Sequence, residues 1–314
     1  MFKGIIGQIR AKKQLEFYAQ GHSATWTTPN ILIGGEKGNG KTLIAKTFAK
    51  NLMRQDKSEK KPTIEINCST IRNITQFIAE IYIPYLQDKE ATLILDEASE
   101  LPNSVTMAFL SLLNPTPLKF NSLVIAGSQV DFDFRKLSIV FCTTDPQHIN
   151  KALIDRCETV DLEHYNEVEL LEIVRMSMGQ NGINIYHIED EAGKRLAATL
   201  RGNARAAQKM ADKVKLYLDA KAKTTFTEID LDEFVDKLCI YPLGLNSVEH
   251  NILEILMECK DCSLTMMSAK TGITREALQK HYEIQLMRAG LLHVGINGRQ
   301  ITPKGVNYLR NGKV

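Results

Sequence analysis

The 314-residue sequence lacks the features that mark exported and membrane proteins. No apolar run approaches the roughly 20 residues that a bilayer-spanning helix requires. Residues 1–14 contain no apolar signal-peptide core followed by a small-residue cleavage site. Tryptophan occurs once, and 44% hydrophobic with 24% charged residues is typical of a globular protein. We therefore expect a cytoplasmic protein with no membrane association.

The chain also lacks a cysteine framework for metal binding. Its six cysteines are scattered along the sequence. Cys259 and Cys262 form a CxxC pair, but it has no second CxxC or histidine pair to complete a zinc site. The pattern favours reduced thiols in a cytoplasmic protein.

The charge has no strong sign overall, at +2, but is unevenly distributed. From Arg288 onward there are five basic and no acidic residues, which leaves 34 basic against 37 acidic residues before it. Such a basic end is either a solvated surface or a contact for a polyanion. Charge alone does not separate these two interpretations.

In the first half of the chain, short apolar runs alternate with helical patterns. Strands separated by helices favour an α/β fold, with a parallel sheet covered by helices on both faces. Ligands of such folds bind beyond the carboxyl ends of the strands, where these runs end in polar residues. The predicted strands are 30–35, 63–69, 91–97 and 137–144, and the predicted helices are 41–55 and 72–87.

The second half changes from strand patterns to helices. Amphipathic patterns at 167–178, 191–200 and 204–222 predict a small helical domain. Beyond a linker at 241–246, the order of three helices and two short strands predicts a winged helix, with Asn297-Gly298 as the tight turn of its wing. The predicted domains are 1–160, 161–240 and 241–314.

Residues Gly35 to Thr42 fit the phosphate-binding pattern G-x-x-x-x-G-K-[ST] at every fixed position, between a strand and a helix. Glycines let successive backbone N–H groups face the phosphates of ATP. Lys41 is expected to reach the β- and γ-phosphates, and Thr42 to offer a hydroxyl to Mg²⁺. The predicted ATP-binding residues of this loop are Gly35, Gly38, Asn39, Gly40, Lys41, Thr42 and Leu43.

Two adjacent carboxylates, Asp96 and Glu97, end the apolar strand Thr92-Leu93-Ile94-Leu95. Alone, such a pair often only caps the next helix. Together with the phosphate loop it predicts that Asp96 joins Thr42 in holding Mg²⁺ and that Glu97 polarises the attacking water. This arrangement favours hydrolysis over phosphoryl transfer to an acceptor.

The sequence resembles the AAA+ ATPases, and among them the RuvB family of Holliday-junction branch-migration motors. The resemblance runs from Ile5 to about Leu309. Its most specific part is the order of an RGxxR helix, a GLN linker and a winged helix. Further similar segments are IIGQ (5–8), LILDEASEL (93–101), FCTTD (141–145), KALIDRCE (151–158), LEHY (162–165) and RGNARAAQKM (201–210).

The resemblance implies an AAA+ P-loop domain, a helical lid and roles for particular residues. Thr144 is the implied sensor-1 residue, with Thr143 as a substitute. Arg156 matches the arginine finger that acts on the neighbouring subunit's nucleotide, and Arg205 matches sensor 2. Ile5, Ile6 and Tyr165 match adenine-binding positions, although the isoleucines also fit ordinary core packing. A finger in trans implies an oligomer, and the family implies a hexameric ring.

The segment 118–137 alternates apolar and polar residues around Ala126-Gly127-Ser128, which predicts a β-hairpin. Its residues Leu123, Val124 and Ile125 are either buried against the domain or exposed for a partner. In the RuvB family the equivalent hairpin docks onto RuvA, so the resemblance implies a RuvA-like junction-binding partner.

The candidate DNA surface lies on the winged helix. Arg275, Lys280 and Arg288 fall on its predicted third helix, and Arg299 is expected at the wing tip, where it matches a RuvB arginine. Contacts from such residues to phosphates give affinity without sequence information. A winged helix used for protein contacts is the alternative.

The sequence therefore predicts an ATP-driven DNA translocase that migrates Holliday junctions or similar branched DNA in recombination and repair. The alternative is a nucleotide-switched DNA-binding adaptor, such as a replicative helicase loader or initiator. A sigma-activating ATPase is disfavoured because the GAFTGA loop is missing.

Overall fold

The computed structural model describes residues 1–56, 59–116, 120–125, 127–179 and 186–311. The chain forms two compact units. The first comprises Met1–Tyr165 with Asn203–Arg205, and the second comprises Asn166–Gly202 with the chain from Ala206 onward. Across the described ranges, no helix is long and apolar enough to span a membrane. The finer division into three domains stays a prediction.

The first unit is built on a sheet of five parallel strands, in the order β2-β3-β6-β1-β7. This confirms the predicted parallel α/β sheet and adds β7, which the sequence did not predict. Strands β4 and β5 form a separate antiparallel hairpin. The strands are β1 (Ile31–Gly34), β2 (Thr63–Asn67), β3 (Ala91–Asp96), β4 (Phe120–Ile125), β5 (Ser128–Asp133), β6 (Leu137–Thr143) and β7 (Glu158–Asp161).

Helices cover this sheet. The helix predicted at 41–55 ends earlier, at Ala49, and its Leu43 side chain is exposed. The helices are α1 (Ile9–Thr25), α2 (Lys41–Ala49), α3 (Ile74–Gln76), α4 (Ile83–Tyr85), α5 (Asn103–Leu112) and α6 (Lys151–Ile154). A π-helical turn, Phe77–Tyr82, joins α3 to α4, and 3-10 turns lie at Cys68–Thr70, Ala98–Glu100 and Pro146–His148.

Nearly every side chain of the central strands is buried. Because successive side chains point to opposite sides of the sheet, both of its faces are covered. Ile33 and Val140 pack with Phe48 of α2 in one hydrophobic cluster. Leu95 and Phe141 pack in a second cluster on the other face. The loops that follow the strands therefore start from the carboxyl edge of a sheet that is packed on both faces.

The β4–β5 hairpin has one packed face and one exposed face. Phe132 is buried and stacks on Tyr82 with ring centroids 4.0 Å apart. Leu123 and Ile125 pack against the same core, whereas Val124 is 71% exposed. The predicted hairpin is thus confirmed for strands β4 and β5; residues 118, 119 and 126 of the prediction lie outside the described residues.

The first part of the second unit, which is expected to be the lid, contains the predicted helices at slightly shifted bounds. The sequence missed α10 and the two-residue parallel pair of β8 with β9. A reciprocal capping box between Asn166 and Glu169 fixes the start of α7. The elements are α7 (Glu167–Met178), β8 (His187–Ile188), α8 (Asp190–Ala198), α9 (Ala204–Ala220), β9 (Thr225–Phe226) and α10 (Glu228–Lys237).

The C-terminal part has the predicted order of three helices and a two-stranded wing. The wing turn is Ile296 and Asn297, one residue earlier than predicted, because Gly298 already pairs with Gly295. The elements are a 3-10 turn (Pro242–Gly244), α11 (Ser247–Cys259), α12 (Leu264–Thr271), α13 (Arg275–Ala277), a π-helical turn (Leu278–Glu283), α14 (Ile284–Arg288), β10 (Leu292–Gly295), β11 (Gly298–Ile301) and the unpredicted α15 (Pro303–Asn311).

Candidate functional site

The phosphate loop connects the end of β1 to the start of α2. Gly38 has φ +91°, and a side chain there would overlap the amide of Asn203. Gly40 also has a left-handed φ, +88°. Both positions therefore require glycine, and the backbone curls as a phosphate-binding loop must.

The Lys41 ammonium lies against this loop. Its Nζ donates to the carbonyl oxygens of Gly35 at 2.9 Å and Glu36 at 3.1 Å. Burial lowers the pKa of Lys41, and nearby Arg205 lowers it further, while Glu97 opposes the shift. A buried cation supported mainly by neutral carbonyls is well suited to exchange them for an anionic ligand.

Thr42 and Asp96 meet at the carboxyl edge of the sheet. Thr42 Oγ1 donates to Asp96 Oδ2 at 2.8 Å, and the other carboxylate oxygen accepts from the Glu97 backbone N–H at 3.0 Å. A hydroxyl and a carboxylate are hard oxygen donors of the kind that bind Mg²⁺ beside phosphates. The two side chains therefore offer donors that suit a magnesium ion, and their role in holding one stays a prediction.

Glu97 and Thr144 lie together beside the loop. Thr144 Oγ1 is within hydrogen-bonding distance of Glu97 Oε2, at 3.2 Å, and of Asp145 Oδ2, at 3.1 Å. Thr143 is buried, and its hydroxyl instead accepts from the Asp145 backbone N–H. The geometry favours Thr144 over Thr143 for the predicted sensor role, because Thr144 touches the carboxylate assigned to the water.

Long-range hydrogen bonds tether the phosphate loop, and two of the residues involved, Gln8 and Asn203, were not assigned a role from the sequence. Asn203 Nδ2 donates to the Lys37 carbonyl at 2.9 Å, and the Arg205 backbone N–H donates to Gly38. Gln8 exchanges two hydrogen bonds with the backbone of Glu163. Gln8 lies in the segment IIGQ and Asn203 in the segment RGNAR. The similarity of these two segments to the RuvB family is the sequence signal that points to both residues.

Of the candidate adenine residues, Tyr165 contacts the phosphate loop. Tyr165 is buried, and its hydroxyl donates to the Asn39 carbonyl at 3.3 Å. Ile5 is partly buried against the hydrophobic cluster that contains β1. Leu43 faces outward from the first turn of α2 and is exposed. The adenine contacts of Ile5, Ile6 and Tyr165 stay predictions.

Arg156 is separated from these residues. The Asn30 side chain donates to the carbonyl oxygen of Arg156, and Asn30 comes just before the amino end of β1. The phosphate loop follows the carboxyl end of the same strand. The four residues of β1 span roughly 13 Å. The guanidinium donates to Asn114 Oδ1 at 2.7 and 3.0 Å and to the Ala152 carbonyl at 2.7 Å, beside a cleft of about 350 Å³. Arg156 therefore lies at the sheet edge opposite its own phosphate loop.

On the winged helix, Arg275, Lys280 and Arg288 are exposed along the third helix. Lys280 also pairs with Glu276 at 2.7 Å. The expected position of Arg299 at the wing tip is wrong. It lies in β11, with 13% of its side chain exposed, and forms a two-pronged ion pair with Glu283 at 2.8 and 3.1 Å. The tip residue is Ile296.

Comparisons with known proteins agree with the fold. The model of the ATPase family associated with various cellular activities (AAA) matches residues 31–162, and the RuvB C-terminal winged helix domain matches residues 242–310. The Holliday junction branch migration complex subunit RuvB of Latilactobacillus sakei is 24% identical, over 97% of this chain and 89% of that protein. The same subunit of Pediococcus pentosaceus is 23% identical, over 97% and 88%.

Solved structures share the fold. The Thermotoga maritima RuvB Holliday junction branch migration motor aligns with a TM-score of 0.75 and 22% identity, over 98% of this chain and 96% of that chain. The likeness therefore spans both compact units.

Proposed function

We propose that this chain, a divergent member of the RuvB family of AAA ATPases, uses ATP hydrolysis to drive branch migration of Holliday junctions or similar branched DNA. The proposal rests on the names of its curated relatives and on one observation within the chain. Its nucleotide-side residues and its candidate arginine finger lie at opposite edges of one sheet. That arrangement suits a motor that hydrolyses ATP between subunits.

The phosphate loop performs the binding step. Backbone N–H groups of the glycine-rich loop face the phosphates, and Lys41 exchanges its carbonyl partners for phosphate oxygens. Thr42 and Asp96 would hold Mg²⁺, which when bound neutralises phosphate charge. Arg205 lies in the first turn of α9, and its backbone N–H donates to the phosphate-loop carbonyl of Gly38, which supports its assignment as sensor 2.

Hydrolysis requires a positioned water. We assign Glu97 as the group that accepts its proton and Thr144 as the residue that orients Glu97 through their hydrogen bond. Arg156 of one subunit would stabilise charge in the neighbour's site, which makes the active species an oligomer. The family implies a ring of six.

The DNA contacts are assigned to Arg275, Lys280 and Arg288, which are exposed on the third helix of the winged helix. Phosphate contacts of this kind tolerate any sequence, as movement along DNA requires. Arg299 remains a candidate contact, but it would have to leave Glu283 to reach a phosphate. The exposed face of the β4–β5 hairpin, centred on Val124, is assigned to a RuvA-like partner.

The test is branch migration of a synthetic four-way junction by the purified protein with Mg·ATP, with and without a RuvA protein. Glu97→Gln should lower ATP turnover and migration together by about 10²-fold. The matched control Glu100→Gln, three residues away, should leave both unchanged. Nucleotide-dependent DNA binding without junction movement would contradict the motor and favour the helicase-loader alternative.

A further inference from the structure

The second unit contains an ion pair that the proposed ATPase chemistry does not use. Arg201 Nη1 donates to Glu249 Oε1 at 2.8 Å, and Arg201 Nη2 donates to Glu249 Oε2 at 2.5 Å. Glu249 is 1% exposed, so its charge is compensated inside the protein. Two parallel hydrogen bonds fix both the distance and the orientation of the two groups.

The same guanidinium also holds the segment that leads into the winged helix. Arg201 donates through Nη2 to the Gly244 carbonyl and through Nε to the Leu243 carbonyl. A side chain at Gly244 would collide with the Thr199 carbonyl, so this segment lies directly against the end of α8. Three nitrogens of one side chain therefore join the lid to residues 243–249.

Glu249 extends the connection into the DNA-binding domain. It occupies the third position of α11 and completes a capping box with Asn246, with both hydrogen bonds at 2.9 Å. The carboxylate that receives Arg201 thus also fixes the start of the first winged-helix helix. Displacement of Arg201 would remove the compensating charge from this buried carboxylate.

Arg201 is also connected to the phosphate loop through the chain. It lies two residues before Asn203, whose amide donates to the Lys37 carbonyl, and four before Arg205. Arg201 and Gly202 both have left-handed φ angles, +53° and +73°. The connection between Arg201 and the phosphate-loop contact is therefore short and restricted in conformation.

Building on the proposed function, we propose that the Arg201–Glu249 pair couples the nucleotide state of the phosphate loop to the DNA affinity of the winged helix. Arg201 is a positioning residue, since it acts through Asn203 on one side and α11 on the other. Because coupling between two binding sites is reciprocal, DNA binding would change nucleotide affinity through the same pair.

The experiment measures duplex-DNA affinity of the full-length protein with ATPγS and without nucleotide. In the wild type we expect ATPγS to change the Kd by at least about fivefold. In Glu249→Gln this change should fall below about twofold. Its affinity for ATPγS and its nucleotide-free affinity for DNA should stay near the wild-type values.

The matched control is Asp232→Asn, which removes a guanidinium–carboxylate pair inside the lid, where Asp232 accepts from Arg195 at 2.7 Å. It should keep the full nucleotide effect on DNA affinity. If Glu249→Gln does not fold, Arg201→Lys is measured instead. Lysine keeps the positive charge but cannot make the two parallel hydrogen bonds of the guanidinium, so the same loss of the nucleotide effect on DNA affinity is expected.

A full nucleotide effect in the folded variant, or none in the wild type, would overturn the proposal. Its failure is distinguishable from that of the motor. A protein that cannot migrate junctions can still show a nucleotide effect that depends on Glu249, and a motor can work with that effect intact in Glu249→Gln.

Discussion

The Thr144 hydroxyl and the Glu97 carboxylate lie 3.2 Å apart, within hydrogen-bonding distance. They follow two neighbouring parallel strands, β6 and β3, whose carboxyl ends meet at the same edge of the sheet. Glu97 also has a left-handed φ of +53°, an uncommon conformation for this residue type. The pairing of β3 with β6 therefore brings the two residues together, and the backbone of Glu97 is held in an uncommon conformation.

Thr144→Val should abolish this orientation while preserving shape. We expect kcat for ATP hydrolysis to fall by about 10²-fold. Nucleotide affinity should change little, because the hydroxyl contacts Glu97 and not the nucleotide held by the phosphate loop. Steady-state ATPase kinetics with a separate nucleotide-binding titration measure the two effects. Thr143→Ser keeps the buried hydroxyl and should behave as the wild type. Normal turnover in Thr144→Val would contradict the assignment.

A second prediction concerns Lys61, which is 2% exposed at the amino edge of the sheet. Its Nζ donates to Ser138 Oγ over a long distance of 3.4 Å. Burial lowers the pKa of Lys61 from 10.5 to about 8, against the opposing effect of Glu90. Below pH 8 the ammonium is charged in both states, so its burial destabilises the fold by up to about 3 kcal/mol.

Lys61→Met should therefore raise the melting temperature at pH 7. Between pH 8 and 10.5 the unfolded chain binds more protons at this site than the folded chain, so wild-type stability rises with pH relative to the variant. The difference between the two proteins should shrink over that range, as followed by thermal melts. Lys60→Met changes an exposed neighbour and should have little effect at any pH. A variant less stable than the wild type at pH 7 would contradict the account.

A third prediction concerns the hairpin. Val124→Asp places a charge on the face assigned to a RuvA-like partner, without touching the packed face. Affinity for that partner should fall by about 10²-fold, because an unpaired charge would be desolvated on binding. The melting temperature should be unchanged. Calorimetry measures the affinity, with the isosteric Val124→Thr as the matched control. Equal binding by all three proteins would place the interface elsewhere.

A fourth prediction separates two arginines of the winged helix. Arg299→Ala leaves Glu283, with 4% of its side chain exposed, without its cation, and should destabilise this domain by about 3–5 kcal/mol. Arg288 is exposed, so Arg288→Ala should lower the melting temperature much less than Arg299→Ala, but it should reduce the slope of log K for DNA against log salt by about 0.9. Thermal melts and salt titrations measure the two quantities. A reduced slope with normal stability in Arg299→Ala would make Arg299 a direct phosphate contact.

The sequence predicted most of the architecture because its signals are local. A glycine pattern between a strand and a helix defines the phosphate loop, and short continuous apolar runs define strands β1, β3 and β6. The two-residue strands β8 and β9 are too short to show any periodicity. Helix α10 was overlooked although Thr227 and Asp230 form a capping box at its start.

The tertiary relationships were less accessible. Asn203 reaches Lys37 across 166 residues, and Gln8 reaches Glu163 across 155, so neither tether follows from local pattern. The position of Arg156 depends on the pairing of β7 with β1, and β7 was not predicted. Arg299 carries the charge expected of a phosphate contact, but only the fold shows that Glu283 already holds it.

The central claim is that each ATPase site uses Lys41 from one subunit and Arg156 from its neighbour. Lys41→Ala and Arg156→Ala should each be inactive alone, while Lys151→Ala, on the helix before Arg156, should remain active. Mixed 1:1, the two inactive proteins should regain about one quarter of wild-type ATPase activity, because one interface in four pairs both intact residues. A mixture that shows co-assembly but no ATP turnover, or full turnover by monomeric protein, would contradict the account.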